Sequence, residues 1–351
     1  MSDKPATIND VAAQAGVSIA TVSRVLSGGS VASATRQRVE AAMEAVGYRA
    51  PASRKENRVI AMVLSPQTSP YYASMCEGAT AEASRAGYLP VLYSYPDYTM
   101  LERIVADLLE NKPAGVLLAG FAVERSAGQD AIRAGLQRIQ QAMPLVAIGP
   151  PIEGVECARL TSDPSQCVRK SMAHLAMLGH RRIAFIGGDR AARFSVIREN
   201  AYYEEVERLG CLRRPDYVCL TGCNVQAGEL AVSMLLGSVP EQWKPTAIFA
   251  INDLVALGAI RKMQLHGLRL PEDMAIVGCD NAFFAPCLTP ALTTVDLHPR
   301  AHGRSAMAEL IASIQGQRAM SFNDAVECAL VVRESCGAYL GVRHLPGSEA
   351  D

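Results

Sequence analysis

Residues Val11 to Leu26 read "VAAQAGVSIATVSRVL". Two helix-forming halves flank an "AGVS" interruption, and the second half is small and almost uncharged. Gly16 can take the left-handed conformation that ends a helix, and the Ser18 hydroxyl can cap the next one. Thr7 is the matching cap for "INDVAAQA". A third helix follows Ser33 or Thr35 through "RQRVEAAMEAV" and stops at Gly47. Residues 6–48 thus read as three short helices. "YRAPASRKENR" follows, polar and basic with Pro51, and reads as a linker.

On a helical wheel advancing about 100° per residue, Val22, Val25 and Leu26 form one apolar stripe. That stripe can bury against the first helix. Ala20, Ser23 and Arg24 fall on the opposite side. A face that is small apart from one arginine lets a helix lie against a broad surface such as a DNA major-groove floor. There Arg24 can reach guanine O6 and N7. With the tight turn at Gly16, the stretch predicts a helix-turn-helix. The alternative is a helical hairpin whose small face packs on the rest of the protein.

The chain has 351 residues, more than one core usually encloses, so two or three domains are expected. Hydrophobic residues at 49% and charged ones at 20% describe a globular protein rather than a disordered or fibrous one. The net charge of −1 says nothing about nucleic acid, but its distribution does. Residues 1–58 hold eight Lys/Arg against five Asp/Glu, a surplus of +3, and the remainder carries −4. The start, "MSDKPATIND", lacks the apolar core of a secretory signal. The longest near-apolar run, Ala114 to Val123, is too short for a bilayer span. A cytoplasmic protein without membrane contact is expected. Ten cysteines lack the spacing of a disulfide or zinc framework, so buried reduced thiols and no metal are expected.

From Val59 the texture changes. Apolar runs at 59–65, 89–94, 114–120, 144–149, 181–188, 246–252 and 274–280 alternate with amphipathic helical patterns such as 72–87 and 253–267. Continuous apolar strands alternating with helices predict parallel sheets covered on both faces. There are enough strands for two α/β lobes, with a cleft facing the C-terminal strand ends.

"TINDVAAQAGVSIATVSRVLSG" closely resembles the DNA-binding headpiece of the lactose/galactose repressor (LacI/GalR) family. The family pattern is T-x-x-D-V-A-x-x-A-G-V-S-x-x-T-V-S-R-V-L. "SATRQRVEAAMEAVGY" is similar to the family's third helix. "SPYYASMCEGATAEASRAGY", "HLAMLGHRRIAFIGG", "PTAIFAINDLVALGAIR", "AIVGCDN", "LTPALTTV" and "LVVRESC" have family counterparts in the same order, so the resemblance spans residues 6–336. It implies an α/β protein with a three-helix helix-turn-helix headpiece and a two-lobed, type I periplasmic-binding-protein-like sensor. The implied protein is a homodimeric transcriptional regulator, a repressor, on a pseudopalindromic double-stranded DNA operator. Its effector would be a sugar, a sugar acid or a phosphorylated sugar.

The division so implied is a headpiece at 1–48, a linker at 49–58, the sensor at 59–340 and a tail at 341–351. Within the sensor, the N-lobe takes about 59–161 plus 291–322, and the C-lobe about 162–290 plus 323–340.

The resemblance places Ile19, Ala20 and Arg24 at base-reading positions. Thr7, Ser18, Thr21 and Ser23 would hold phosphates or orient the helix, Ser18 also serving as a cap. The linker departs from the family: it is several residues shorter and lacks the leucine that wedges into the minor groove. Arg54 and Lys55 would contact phosphates or stay solvated. In the sensor, the resemblance carries effector contact onto Tyr71, Tyr72, Arg198, Asn252 and Asp280, with Asp163 a weaker candidate. Aromatic faces stack on a ring, and the polar groups exchange hydrogen bonds with hydroxyls. Against this stand helix capping for Asn252 and Asp253 and a surface ion pair for Arg198. Arg190 and Arg193 add guanidinium that would suit an acidic effector, or belong to a solvated loop. His174 and His180 read as structural.

Two further function classes fit the sequence less well. A transport-type solute receptor shares the sensor fold but not the N-terminal helices. An enzyme is not expected, because no phosphate loop, nucleophile elbow or H-E-x-x-H motif occurs, and no cofactor is implied. The C-terminal "GVRHLPGSEAD" has no leucine heptad for a tetramerising coiled coil, so a dimer is expected.

Overall fold

Gly16 ends the first helix in the left-handed conformation, with φ +61°. The computed structural model describes residues 7–26, 29–48, 57–64, 69–95, 98–120, 129–190, 192–317 and 327–339. The chain divides into two units, Met1–Arg58 and Val59–Asp351.

The first unit holds α1 (Ile8–Ala15), α2 (Ile19–Leu26) and α3 (Ser33–Ala45). The Asp10 carboxylate accepts from both the backbone N–H and the hydroxyl of Thr7, each at 2.7 Å, closing the start of α1. The N–H of Val17 returns to the Ala12 carbonyl at 3.2 Å, closing its end. Val11, Val22 and Val39, one from each helix, are fully buried at the centre of this small core. The predicted stripe is therefore the packed face of α2.

The second unit contains two sheets. The first lobe carries β1 (Val59–Leu64), α4 (Pro70–Arg85), β2 (Leu89–Ser94), α5 (Tyr98–Asn111), β3 (Gly115–Ala119), α6 (Gln129–Ala142), β4 (Leu145–Ile148) and β5 (Ala158–Leu160). Its five parallel strands run in the order β2-β1-β3-β4-β5. The second lobe carries α7 (Ser165–Met177), β6 (Ile183–Ile186), α8 (Arg193–Arg208), β7 (Val218–Cys219), α9 (Val225–Ser238), β8 (Ala247–Ala250), α10 (Asp253–Leu265), β9 (Ala275–Cys279) and β10 (Thr293–Asp296). After α11 (Pro299–Ile314), β11 (Ala329–Val331) adds an antiparallel edge, giving the order β11-β10-β9-β8-β6-β7. Strands β3, β4, β6, β8 and β9 are buried along their whole lengths, as their unbroken apolar runs require.

The expected lobe boundary needs a correction. The implied division puts residues 291–298 in the N-lobe, but Thr293–Asp296 form β10, paired in parallel with β9 of the second sheet. The chain returns to the first lobe only with α11, which packs on α4, β3 and β4. A second correction concerns the thiols. All ten cysteines are free, but only Cys167, Cys219, Cys279, Cys328 and Cys336 are buried, and Cys287 is exposed. Among the described residues no helix is long and apolar enough to cross a membrane, and no His, Cys, Asp and Glu cluster could hold a metal ion.

Glycine sets the helix spacing in each lobe. A Cβ on Gly78 would lie 2.0 Å from the Arg300 carbonyl oxygen, and one on Gly303 would lie 1.9 Å from that of Met75. Thus α4 and α11 cross with their backbones in contact. Gly228 and Gly258 do the same for α9 and α10. These crossings fix the helices whose N-termini reach the strand ends.

His180, buried at the α7–β6 junction, meets the Thr246 hydroxyl at 3.0 Å. Burial, with the neighbouring His174 and Arg181, lowers its pKa from 6.5 to about 4. A depressed pKa means that its contribution is present above 6.5 and is lost as pH falls toward 4. Urea midpoints are expected to fall on acidification through that window, with a shallower fall in His180→Gln. Equal slopes for the two proteins would contradict this account.

Candidate functional site

In the first unit, Ile19, Ala20, Ser23 and Arg24 of α2 are exposed. Ile19 is 51% exposed, a large apolar side chain that the small core of this unit leaves in solvent. Ser18 caps α2: its hydroxyl accepts from the Thr21 N–H at 3.2 Å and lies 2.9 Å from the Thr21 hydroxyl. Both hydroxyls sit beside the N-terminus of α2, where backbone N–H groups favour an anion. Thr7 is exposed at the start of α1, bonded to Asp10. Arg54 and Lys55 lie outside the described residues.

In the second unit, the candidate residues stand on α4 and α8 and in the turns that follow β8 and β9, near the C-terminal strand ends where open α/β sheets bind ligands. Tyr71 and Tyr72 stand in the first turn of α4, half-buried, with ring centroids 5.3 Å apart in an edge-to-face arrangement. Burial pushes the Tyr72 phenol up to about 12; Asp280 adds to the rise and Arg198 opposes it. Tyr71 rises for the same reason, with Tyr72 and Asp280 adding. These mutual effects place both tyrosines of the first lobe within electrostatic reach of Arg198 and Asp280 of the second.

Arg198 projects from α8 and is 7% exposed. Its Nη1 donates to the Ile251 carbonyl at 2.7 Å, its guanidinium lies 5.6 Å from the Phe194 ring centroid, and its Nε has no hydrogen-bond partner. Burial opposes its charge, but Cys167, Cys279, Asp280 and Tyr71 around it raise its pKa on balance. Asp280 follows β9 with φ +113°, a conformation L-residues rarely adopt. Burial, reinforced by Asp253, holds its carboxyl well above the usual carboxylate range, with Arg198 pulling the other way.

The remaining sensor candidates have structural duties. Asn252 caps α10: its Oδ1 accepts from the Val255 N–H at 2.9 Å, and its Nδ2 donates to the Cys223 carbonyl at 3.0 Å. Asp163 is exposed, accepting from the Ser165 N–H at 2.9 Å and pairing with Arg169 at 2.5 Å. Arg193 begins α8, exposed, while Arg190 is exposed and pairs with Glu199 at 3.2 Å. The structure thus brings Tyr71, Tyr72, Arg198 and Asp280 together and shows no such convergence for Asp163 and Arg190.

Asp253 is more than the helix cap it resembles in sequence. It is 1% exposed; its Oδ2 accepts from the Ala282 N–H at 2.7 Å and its Oδ1 from the Thr294 hydroxyl at 2.6 Å. It therefore anchors the loop that presents Asp280. Burial pushes its carboxyl up to about 7 despite these two donors. The signal was invisible in sequence because Thr294 lies 41 residues away.

The comparisons with known proteins bear on the family and the fold. Residues 7–50 match the model of bacterial regulatory proteins of the lacI family, and residues 172–336 match a periplasmic binding protein-like domain. The transcriptional repressor CytR of Escherichia coli is 30% identical over 340 residues, covering 95% of this chain and 97% of its own. The transcriptional regulator MalR of Streptomyces coelicolor is 30% identical over 349 residues, covering 96% and 98%. Among solved structures, the regulator CelR in complex with cellobiose has a TM-score of 0.69 at 30% identity, covering 94% of this chain and 99% of its own. The lac repressor dimer bound to operator and an anti-inducer has a TM-score of 0.70 at 26% identity, covering 95% and 99%.

Asp253→Ala would strand the Ala282 N–H and the Thr294 hydroxyl in a dry interior. Urea denaturation is expected to show a loss of about 2 kcal/mol or more. A loss below about 0.5 kcal/mol would show that the Asp280 loop holds itself without this anchor.

Proposed function

The chain belongs to the lacI family of bacterial regulatory proteins, and from that premise we propose how its parts act. The protein is a sequence-specific DNA-binding transcriptional regulator, a repressor, whose operator affinity is set by a small effector held between the lobes. In this proposal Arg24 reads a guanine in the major groove, Ile19 and Ala20 fit against base edges, and Ser18, Thr21, Ser23 and Thr7 serve the phosphates and the helix entry. Two copies pair through the sensor and present their headpieces to a pseudopalindromic operator in the cytoplasm.

For the effector we propose a hydroxyl-rich ring, a sugar or a sugar acid. What supports this is that Tyr71 and Tyr72, paired edge-to-face on α4, lie within electrostatic reach of Arg198 and Asp280 of the other lobe. Tyrosine rings cover the faces of such a ligand, while Arg198 and Asp280 bond its hydroxyls. The unpartnered Arg198 Nε supplies one donor more than the protein uses. Asn252 frames the cleft by holding the start of α10. An acidic effector rests on one buried guanidinium, because Arg190 is paired with Glu199.

A ligand that binds the closed lobes changes the operator-competent population only through its differential affinity for the two states. A thermal-shift screen of sugars, sugar acids and sugar phosphates tests the cleft. At least one compound is expected to raise the melting midpoint, and Arg198→Ala is expected to abolish the rise. A rise that survives both Arg198→Ala and Asp280→Asn would put the pocket elsewhere.

A further inference from the structure

Arg24 is not left to find its direction alone. The Gly29 N–H donates to the Arg24 carbonyl at 2.8 Å. The Gly29 backbone also lies against the foot of the Arg24 side chain. A Cβ built there would stand 2.6 Å from Arg24 Cγ and 3.0 Å from the Arg24 carbonyl oxygen. The backbone of Gly29 lies outside the left-handed region, so what this position demands is room. From the other side, Arg36 Nη2 donates to the Gly29 carbonyl at 3.0 Å. Arg36 is half-buried in the first turns of α3, with its own N–H bonded to the Ala32 carbonyl at 3.0 Å. One line of contacts therefore runs from α3 through Gly29 to the first carbons of Arg24.

We infer that Gly29, held in place by Arg36, is a positioning residue that aims the Arg24 guanidinium at its base. The inference rests on the proposal that Arg24 reads a base. Cγ decides where a long side chain leaves its helix, so a wall against Cγ removes alternative rotamers before DNA arrives. An arginine free to turn could swing to a neighbouring base or phosphate as readily as to its own guanine, and a wall against Cγ closes those alternatives. Gly29 and Arg36 thus contribute to discrimination without touching the duplex.

The test selects duplexes from a randomised pool with the full-length chain, then measures binding to the enriched sequence, to its single-base variants and to a scrambled duplex. Gly29→Ala and Arg36→Gln are each expected to cut the preference for one guanine about tenfold or more. It should be the same guanine that Arg24→Ala stops reading. Affinity for the scrambled duplex and its salt slope should stay as they are in the parent protein. Added to Arg24→Ala, the Gly29→Ala change should do nothing further, as a residue acting through Arg24 requires. Should Gly29→Ala prevent the first unit from folding, the Arg36→Gln arm carries the same comparison. An unchanged guanine preference in both variants overturns the inference, as does an equal effect of Gly29→Ala with and without Arg24. A uniform loss on every duplex with a shallower salt slope in Arg36→Gln also overturns it, since that marks a phosphate contact. A parent chain that enriches no sequence sinks the base-reading proposal itself, and the inference with it.

Discussion

A guanidinium buried between two lobes is the constraint on which the sensor depends. Burying a charge is costly unless it is paired and hydrogen-bonded. Arg198 has one carbonyl bond, to Ile251, and an Nε with no partner. Around it lie Cys167, Cys279 and Asp280, and Tyr71, the groups that act on its charge. Three of these belong to its own lobe and Tyr71 to the other. A group from each lobe thus lies near this charge, so a relative movement of the lobes would change its surroundings. A ligand that completes its hydrogen bonding in one arrangement and not in another has the differential affinity that regulation needs.

The scaffold around Arg198 is rigid where the site needs it. Tyr71 and Tyr72 ride on α4, which Gly78 and Gly303 lock against α11 at backbone contact. Asn252 and Asp253 open α10, locked in the same way against α9 by Gly228 and Gly258. Asp253 then ties the strained turn at Asp280 to Thr294 on β10. Because β10 lies just before the return to α11, the Asp280 loop is fastened to the last strand the chain uses before it crosses lobes.

Much of this was legible in the residues. The long central strands announced themselves because both faces of a parallel sheet are buried, so "AIVGC" and "AIFA" have no polar alternation to confuse them. β5, β7 and β11 did not, since two or three residues at a sheet edge carry no period. "TTVD" at 293–296 belongs to the second sheet and not to the N-lobe, because what fixes its place is pairing and bonding to distant residues. In fact Thr293 bonds the Arg333 N–H and Thr294 bonds Asp253, contacts across 40 and 41 residues. Local chemistry was readable, as in the Ser18 and Asn252 caps; pairings between distant strands were not. The bare face of α2 was readable because a helix has only one way to bury Val22 and Val25.

The central claim is that cleft and reading helix belong to one regulated machine. It is tested most directly by titrating the full-length protein, bound to its selected duplex, with whichever sugar or sugar acid most raises its melting midpoint. The account predicts that duplex affinity changes by a fixed factor at saturation, and that saturating duplex changes the affinity for that compound by the same factor. It also predicts that both changes vanish in Arg198→Ala. A compound that fills the cleft while duplex affinity stays constant would contradict the account.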